Sequence, residues 1–269
     1  MKIFGGEKTE SDNMSFFEHL DALRPRLVRS AAMLFVLMCA AFVCKELLMR
    51  IIMGPMSPEF PTNRLFGYLA DLLSSDTLRI NSAPLTLINT AMAGQFNLHL
   101  SLAFHTALIL TIPYLLGELW GFVKPALTER ELRASRMFVF NVTLCFATGL
   151  LFGYFVLAPL AVNFLAGYTV SGSISNMIDI SSYMSLVLNL SFTSGVVFLL
   201  PVAVDILSRA GIVTDTFMKR FRRHALVVLA AMSALITPPD AVSMILVLVP
   251  LYGLYELGIH IAARRCGSR

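Results

Sequence analysis

Five side chains that could take part in proton or ion chemistry lie within or beside long apolar runs. They are His99, His105, Glu118, Asp205 and Glu256. A charge at the centre of a bilayer costs about 2.5–3.5 kcal/mol, so such residues are functional candidates by default. A small-solute transporter would gather them near the midplane, and an intramembrane enzyme would pair a nucleophile with a base. All three acids lie near the ends of their runs, which agrees equally well with interfacial positions. We expect the histidines to be interfacial or packed polar residues.

A second acidic feature is the pair Glu129 and Glu131. It lies in a polar segment, residues 124–136, whose other charged residues are all Lys or Arg. Pairing with neighbouring arginines would balance these charges locally, and the sequence by itself favours that interpretation. A functional role for the pair is the alternative.

The polar stretch at residues 15–29, SFFEHLDALRPRLVR, precedes the first long apolar run. Ser15 and Glu18 have the spacing of a capping box, in which each side chain satisfies a free backbone N–H of the first turn. Apolar residues recur at helical spacing, at Phe16, Leu20, Leu23 and Leu27. Pro25 removes one backbone donor and predicts a kink where the span begins. We therefore predict an amphipathic helix leading into the membrane, for which a charged anchor is the simplest role.

The composition excludes a soluble protein. Hydrophobic residues make up 57% of the chain and charged residues 14%, whereas soluble domains average about 45–50% and about 25%. The four cysteines show no C-x-x-C spacing, so neither a disulfide framework nor a metal site is expected. Cys39, Cys44 and Cys145 lie in apolar runs and are expected to be small buried hydrophobes. No Walker A, H-E-x-x-H or G-x-S-x-G pattern is present, so we expect no enzymatic activity and no cofactor.

Six apolar runs are candidates for membrane helices. They cover residues 27–53, 98–123, 137–166, 183–207, 224–236 and 241–254. Pro201 is expected to break the fourth run. The fifth run has 13 residues and extends only about 20 Å as a helix, against a hydrocarbon core of about 30 Å. We predict an all-α polytopic membrane protein, a single transmembrane domain (residues 1–269) with six transmembrane helices, the last two short.

The distribution of Lys and Arg predicts the orientation. Of the 21 such residues, all but four lie at or near the N-terminal segment (residues 1–26), in the loops at 124–136 and 208–223, or in the C-terminal tail. Cytoplasmic segments carry such an excess, so both termini and these loops are predicted to be cytoplasmic. Residues 54–97 then form a structured periplasmic cap, and residues 167–182 form a periplasmic loop. Residues 1–26 lack the apolar core of a cleavable signal peptide, so we expect the first span to insert the chain.

Several longer runs resemble the TatC family, the core subunit of the bacterial twin-arginine protein translocase. They are EHLDALRPRL (18–27), LWGFVKPALTERELR (119–133), GYFVLAPLAVNFL (153–165), ISSYMSLVLNL (180–190) and LITPPDAVSMILVLVPLYGLYELGI (235–259). The resemblance covers about residues 15–263.

This resemblance implies a receptor and scaffold in the bacterial cytoplasmic membrane. It would bind the twin-arginine signal peptides of folded precursors and recruit small single-span subunits of the TatA and TatB type. It also implies export driven by the proton-motive force without a cofactor, and a homo-oligomer within the complex. The alternative is a small-solute secondary transporter, but the charges lie away from the midplane and the two halves show no convincing repeat.

In the family, the signal-peptide pocket is formed by the N-terminal segment and the first cytoplasmic loop. Glu131 matches the loop carboxylate that receives the arginines, since a guanidinium meets a carboxylate through two parallel hydrogen bonds and lysine cannot. Phe122 matches an apolar residue beside the peptide, and Glu129 lies in the same loop. On the N-terminal side the matching residues are His19, Leu20, Leu23, Arg24 and Arg26. Three further matches are interpreted as structural: Pro55, Pro125 and Asp240. Asp240 would cap the sixth helix.

Three departures from the family pattern change these expectations. Ala22 stands where the family usually places a second glutamate. Glu18, one turn earlier on the same face, or Asp21, about 100° around the helix, would have to replace it. Leu199 and Met244 stand where a polar patch receives the partner subunits. Both are apolar, so an apolar contact would replace an interhelical hydrogen bond, which is worth only about 0.6–2 kcal/mol in membranes.

Overall fold

The computed structural model describes residues 16–74, 79–81, 85–123, 138–171, 176–209, 213–237 and 241–266. The α-helices there are α1 (Phe16–Val43), α2 (Lys45–Met53), α3 (Pro61–Leu73), α4 (Gly94–Val123), α5 (Phe138–Phe152), α6 (Ala158–Gly167), α7 (Ile180–Val197), α8 (Leu200–Arg209), α9 (Asp215–Arg220), α10 (Arg222–Ile236) and α11 (Ala241–Cys266). A 3-10 turn covers Gly54–Met56, and a π-helical turn, Gly153–Leu157, joins α5 to α6. Two short strands, β1 (Leu87–Ile88) and β2 (Ile178–Asp179), pair in parallel. The strand pair was not predicted, because two residues give no periodic pattern.

Within the described residues, five stretches of helix are long and apolar enough to cross a membrane. They are Leu23–Val43, Gly94–Phe122, Val139–Gly167, Ile180–Ser208 and Ser243–Ala263. An all-α polytopic architecture is thereby confirmed. With 15 residues, α10 extends about 22 Å, which is shorter than the hydrocarbon core of about 30 Å.

The last helix corrects the prediction that the final two helices are short. α11 has 26 residues, whereas its apolar run suggested an end at Leu254. The helix continues past Glu256, because Ile259 and Ala262 in its next turns are buried. The Glu256 carboxylate forms an ion pair of 2.8 Å with Arg222 at the start of α10. Beside it, the Tyr255 hydroxyl donates to the Met218 carbonyl oxygen at 2.8 Å. A charge with a partner on a neighbouring helix does not have to mark a helix end.

α1 and α4 pack antiparallel and define two ends of the helical bundle. At the first, the Arg26 end, Nη1 of Arg26 donates to the Glu118 carbonyl oxygen at 2.9 Å. At the second, the Lys45 end, Nε2 of His99 lies 2.8 Å from the Phe42 carbonyl oxygen. The rings of these last two residues also stack, with centroids 3.9 Å apart. The start of α1 therefore lies beside the end of α4.

The first apolar run differs from its predicted form. The span expected over 27–53 is divided at Cys44 into α1 and α2, and Pro25 lies inside the continuous α1. Cys39 and Cys44 are exposed rather than buried, and Cys145 is half-buried. The expectation of burial was wrong because the lipid-facing side of a membrane helix is as apolar as its packed side.

The third and fourth spans approach closely because glycines lie at their interface. A Cβ on Gly149 would lie 2.7 Å from the Ser194 carbonyl oxygen, and one on Gly153 would lie 2.7 Å from Ser191 Cα. Small residues four apart allow two helices to pack backbone against backbone, which favours association in membranes. These two glycines therefore fix α5 against α7.

The π-helical turn in the third span comes just before Pro159. Proline has no N–H to donate to the carbonyl oxygen four residues earlier, which here belongs to Phe155. The Thr62 hydroxyl donates to this oxygen instead. The contact fixes α3 against the third span at the Lys45 end.

Three asparagines tie the segment after α2 to the third span. Asn81 is buried and adopts a left-handed conformation with φ 49°, which Asn tolerates better than most residues. Its side-chain amide donates to the carbonyl oxygens of Pro159 at 3.0 Å and Pro55 at 3.3 Å. Its backbone N–H donates to Oδ1 of Asn163 at 3.0 Å. The buried Asn63 amide donates to the same Pro55 oxygen at 3.0 Å. Residues on both sides of α3 are thus held in place by buried hydrogen bonds.

The fourth span breaks near Pro201, as predicted, between α7 and α8. The loop predicted at 208–223 contains the short helix α9. Within α9, Lys219 donates to Asp215 at 2.9 Å, and this bond holds the pKa of the Asp215 carboxyl below its ordinary value.

Candidate functional site

The segment predicted to form one side of a binding pocket packs against the end of α4 through Arg26. Ser30 is buried in the same helix face and donates to the Arg26 carbonyl oxygen at 3.0 Å. The Tyr114 hydroxyl donates to Oε1 of Glu118 at 2.8 Å. Glu118 is thus engaged through its backbone oxygen by α1 and through its carboxylate by its own helix.

Gly121 makes room for Arg26 in this contact. A Cβ at position 121 would lie 2.4 Å from Arg26 Nη1. Among the described residues, one on Gly117, a turn earlier, would meet only Val139 Cγ1, at 3.7 Å. Sequence reasoning missed Gly121. The available signal was a glycine in the last turn of a predicted helix, where a cation can bind the exposed carbonyl groups.

The last turn of α4 is fixed from its other side by a tryptophan. Trp120 and Val142 are buried together, and Leu199 and Val202 pack against them. Phe122 is half-buried in the same turn. α1, α5 and the break in the fourth span therefore meet around the end of α4.

Several residues of the predicted site lie outside the described part of the chain. They are Pro125, Glu129, Glu131 and Asp240. For three others, Glu18, His19 and Asp21, the structure describes the helical backbone of α1 but not the side chains. Arg24 is exposed, whereas Arg26 is half-buried. Of these two arginines, the structure places Arg26 against α4.

Pro55, Leu199 and Met244 are among the described residues. Pro55 is fully buried at the Lys45 end. Leu199 lies between α7 and α8 in the cluster around Trp120. Met244 is half-buried near the start of α11, one turn before Val247, which belongs to a different buried cluster. Leu200, which follows Leu199, packs against that second cluster as well, so both residues predicted to contact partner subunits adjoin members of it.

The histidines of the apolar runs are packed polar residues, as expected. Nδ1 of His105 lies 2.8 Å from a backbone carbonyl oxygen one turn earlier in α4, and His99 bonds to the carbonyl oxygen of Phe42. Among the described residues, no group of three or more His, Cys, Asp or Glu side chains could hold a metal ion.

The family is established by comparison with known proteins. The family model described as Sec-independent protein translocase protein (TatC) matches residues 18–250. The chain belongs to the TatC family. It is therefore a polytopic membrane component of the twin-arginine translocase, a family of translocase components rather than of enzymes or small-solute transporters.

Relatives cover nearly the whole chain. The Sec-independent protein translocase protein TatC of Blattabacterium sp. subsp. Periplaneta americana is 34% identical over 265 residues, which is 95% of this chain and 97% of the relative. The TatC protein of Deinococcus radiodurans is 34% identical over 244 residues, covering 90% and 83% of the two chains. A crystal structure of the twin-arginine translocase receptor TatC matches with a TM-score of 0.69 and 26% identity, covering 94% of this chain and 100% of that one.

Proposed function

We propose that this chain is the signal-peptide receptor and scaffold of a twin-arginine translocase. It binds the twin-arginine signal peptides of folded precursors at the Arg26 end and recruits small single-span subunits of the TatA and TatB type. Export is driven by the proton-motive force. The similar protein of known structure is described as a twin-arginine translocase receptor, which supports this role.

The proposal includes six membrane helices, with α10 as the short fifth, and both termini in the cytoplasm. α10 crosses the membrane if the bilayer thins around it. The loops at 124–136 and 208–223, which follow α4 and α8, carry an excess of Lys and Arg, so the Arg26 end faces the cytoplasm. Residues 54–97 then form a periplasmic cap, and residues 167–182 form a periplasmic loop.

The observation that carries the proposal is the 2.9 Å hydrogen bond from Arg26 to the Glu118 carbonyl oxygen. It holds α1 beside the last turn of α4. Residues 124–136 follow that turn in the chain. The N-terminal segment and this loop, which both match the family's pocket, are therefore joined to neighbouring helix ends.

On the loop side, Glu131 accepts the two hydrogen bonds of a signal-peptide guanidinium. A planar guanidinium fork fits a carboxylate and a lysine ammonium does not, which would account for selection of arginine. Glu129 adds negative charge to the same loop, and Phe122 offers apolar surface at the end of α4. Pro125 has a structural role where the loop begins.

On the α1 side, a second carboxylate is needed because Ala22 supplies none. Glu18 or Asp21 takes this role, and Glu18 is favoured because it precedes Ala22 by one helical turn. Arg24 is exposed and can reach a peptide beside α1. His19 lies on the same segment and contributes a polar contact.

Partner subunits contact this chain through apolar rather than polar side chains at Leu199 and Met244. Both side chains are half-buried, so each leaves part of its surface for a neighbouring helix. Pro55 and Asp240 are structural in this proposal, and the receptor forms a homo-oligomer within the complex.

The affinity of a twin-arginine signal peptide for the purified full chain tests the pocket. Glu131→Ala should weaken binding about tenfold or more, because a buried or partly buried bond to a charged group contributes about 1.5–3 kcal/mol. A peptide with both arginines replaced by lysine should bind the unsubstituted chain with a similar loss.

Glu59→Ala is the matched control, since Glu59 is an exposed carboxylate near the Lys45 end. It should leave the affinity and the preference for arginine unchanged. If Glu131→Ala still prefers the arginine peptide over the lysine peptide, Glu131 does not receive the arginines.

A further inference from the structure

A cavity of about 590 Å³ opens at the Lys45 end, at the opposite end of α1 from the proposed signal-peptide pocket. α2, β1 and the start of α4 form its walls. Its charged or titratable lining residues in the described part of the chain are Lys45, Glu46 and His99. Leu98 and Leu102 also line it and are buried, with 7% and 2% of their surface exposed. The volume lies within the range of small-ligand sites, about 300–1,000 Å³, and exceeds what a single ion needs.

The depth of the cavity corresponds to the lipid headgroups. The first span, Leu23–Val43, has 21 residues and extends about 32 Å, which matches the hydrocarbon core of about 30 Å. Lys45 follows this span by two residues and therefore lies at the headgroup level. Phe42 and Leu47 beside it are exposed, so apolar surface for acyl chains adjoins the polar lining.

We propose that this cavity binds a zwitterionic phospholipid with a primary amine, such as phosphatidylethanolamine. Its phosphate lies at Lys45 and its amine at Glu46. Both side chains line the cavity and are exposed, and neither has a hydrogen bond or ion pair within the described residues. The cavity wall therefore presents one positive and one negative group, which complement the two charges of the headgroup through charge-assisted hydrogen bonds.

His99 has a structural role in the cavity, and Lys45 and Glu46 bind the charged groups of the lipid. Because a carbonyl oxygen can only accept a hydrogen bond, the Nε2–H group of His99 is the donor to the Phe42 oxygen at 2.8 Å. The stacked Phe42 ring, 3.9 Å away, fixes the plane of the imidazole. The histidine thus holds the end of α1 against α4 and closes one side of the site.

Native mass spectrometry of the full chain in detergent tests the proposal. Titration with phosphatidylethanolamine and with phosphatidylglycerol gives the dissociation constant of the first bound lipid. Lys45→Gln should weaken both lipids about fivefold, the effect of one Lys beside a phosphate headgroup. Glu46→Gln should weaken phosphatidylethanolamine by a similar factor without weakening phosphatidylglycerol, which has no amine.

Arg50→Gln is the matched control, because Arg50 is an exposed cation on α2 that does not line the cavity. It should leave both dissociation constants unchanged. All three substituted side chains are exposed, and size-exclusion chromatography verifies that the variants remain folded. Equal effects of Lys45→Gln and Arg50→Gln would overturn the proposal, as would a Glu46→Gln variant that weakens both lipids alike.

A photo-crosslinking residue at position 95 identifies what occupies the cavity within the native membrane, because Gln95 lines the same cavity. An adduct with the mass of a phospholipid supports the proposal. A polypeptide adduct shows that a protein segment occupies the cavity and overturns it.

Discussion

The guanidinium of Arg26 occupies the space that a side chain on Gly121 would need, since a Cβ at Gly121 would lie 2.4 Å from Arg26 Nη1. The same Nη1 donates to the Glu118 carbonyl oxygen. The arginine and the glycine together join the start of α1 to the last turn of α4. Both sides of the proposed signal-peptide pocket depend on this junction.

Gly121→Ala should therefore displace Arg26 and break its hydrogen bond. Relative to Gly117→Ala, which carries the same gain in helix propensity, we expect a destabilisation of about 1 kcal/mol and a roughly fivefold loss of signal-peptide affinity. Thermal unfolding in detergent and peptide titration measure the two effects. Gly117→Ala is the control, because within the described part of the chain its new methyl group would meet only Val139, at 3.7 Å. A similar loss in both variants would show that the helix, and not the Arg26 contact, is sensitive to the added side chain.

This junction was only partly predictable from the sequence. Helical spacing placed Arg26 on an amphipathic helix, and the family resemblance assigned residues 119–133 to the same pocket, because both depend on local residue order. The hydrogen bond to Glu118 and the need for Gly121 depend on which helices become neighbours. Periodicity within one helix does not contain that information.

Other differences between the predicted and the observed fold also arise from contacts between helices. The part of α11 beyond Glu256 buries Ile259 and Ala262 against neighbouring helices, and Glu256 pairs with Arg222 from α10, which no local pattern indicates. The exposure of Cys39 and Cys44 depends on which side of α1 faces lipid. The break near Pro201 was predictable, since proline acts on its own helix.

The absence of a carboxylate at Ala22 predicts that Glu18 or Asp21 shares the binding of the arginine pair. The double variant Glu18→Ala, Asp21→Ala should lower twin-arginine peptide affinity about tenfold. The single variants then separate the two, and Glu18→Ala should account for most of the loss because it shares a helix face with Ala22. If the double variant binds the peptide with unchanged affinity in this titration, neither Glu18 nor Asp21 supplies the second carboxylate and the prediction is wrong.

Asn81 should contribute strongly to stability, because its amide bonds to both Pro55 and Pro159 in a buried site. Asn81→Gly removes the amide but keeps the left-handed backbone, and we expect a loss of about 1–3 kcal/mol. Asn81→Ala should lose about 1 kcal/mol more, because the left-handed conformation strains a residue with a Cβ. Thermal unfolding in detergent measures both, with Asn97→Ala at an exposed position as the control. Equal unfolding temperatures for Asn81→Ala and Asn97→Ala would contradict this role.

Thr62 and Pro159 should be energetically coupled through the Phe155 carbonyl oxygen. Thr62→Val removes the hydroxyl that donates to this oxygen with little change in shape, and should destabilise the protein by about 1–2 kcal/mol. Pro159→Ala restores a backbone N–H that can donate to the same oxygen. In the Pro159→Ala variant, Thr62→Val should therefore lower the free energy of unfolding by less than it does with proline at position 159.

A double-mutant cycle of unfolding free energies in detergent measures this coupling, which we expect to be about 1 kcal/mol. Thr148→Val provides the reference cycle, because the Thr148 hydroxyl bonds to the Leu144 carbonyl oxygen within its own helix at 2.8 Å. It should show no coupling to Pro159→Ala. If Thr62→Val has the same effect with proline and with alanine at position 159, the hydroxyl does not substitute for the missing N–H. In that case the π-helical turn alone accommodates Pro159.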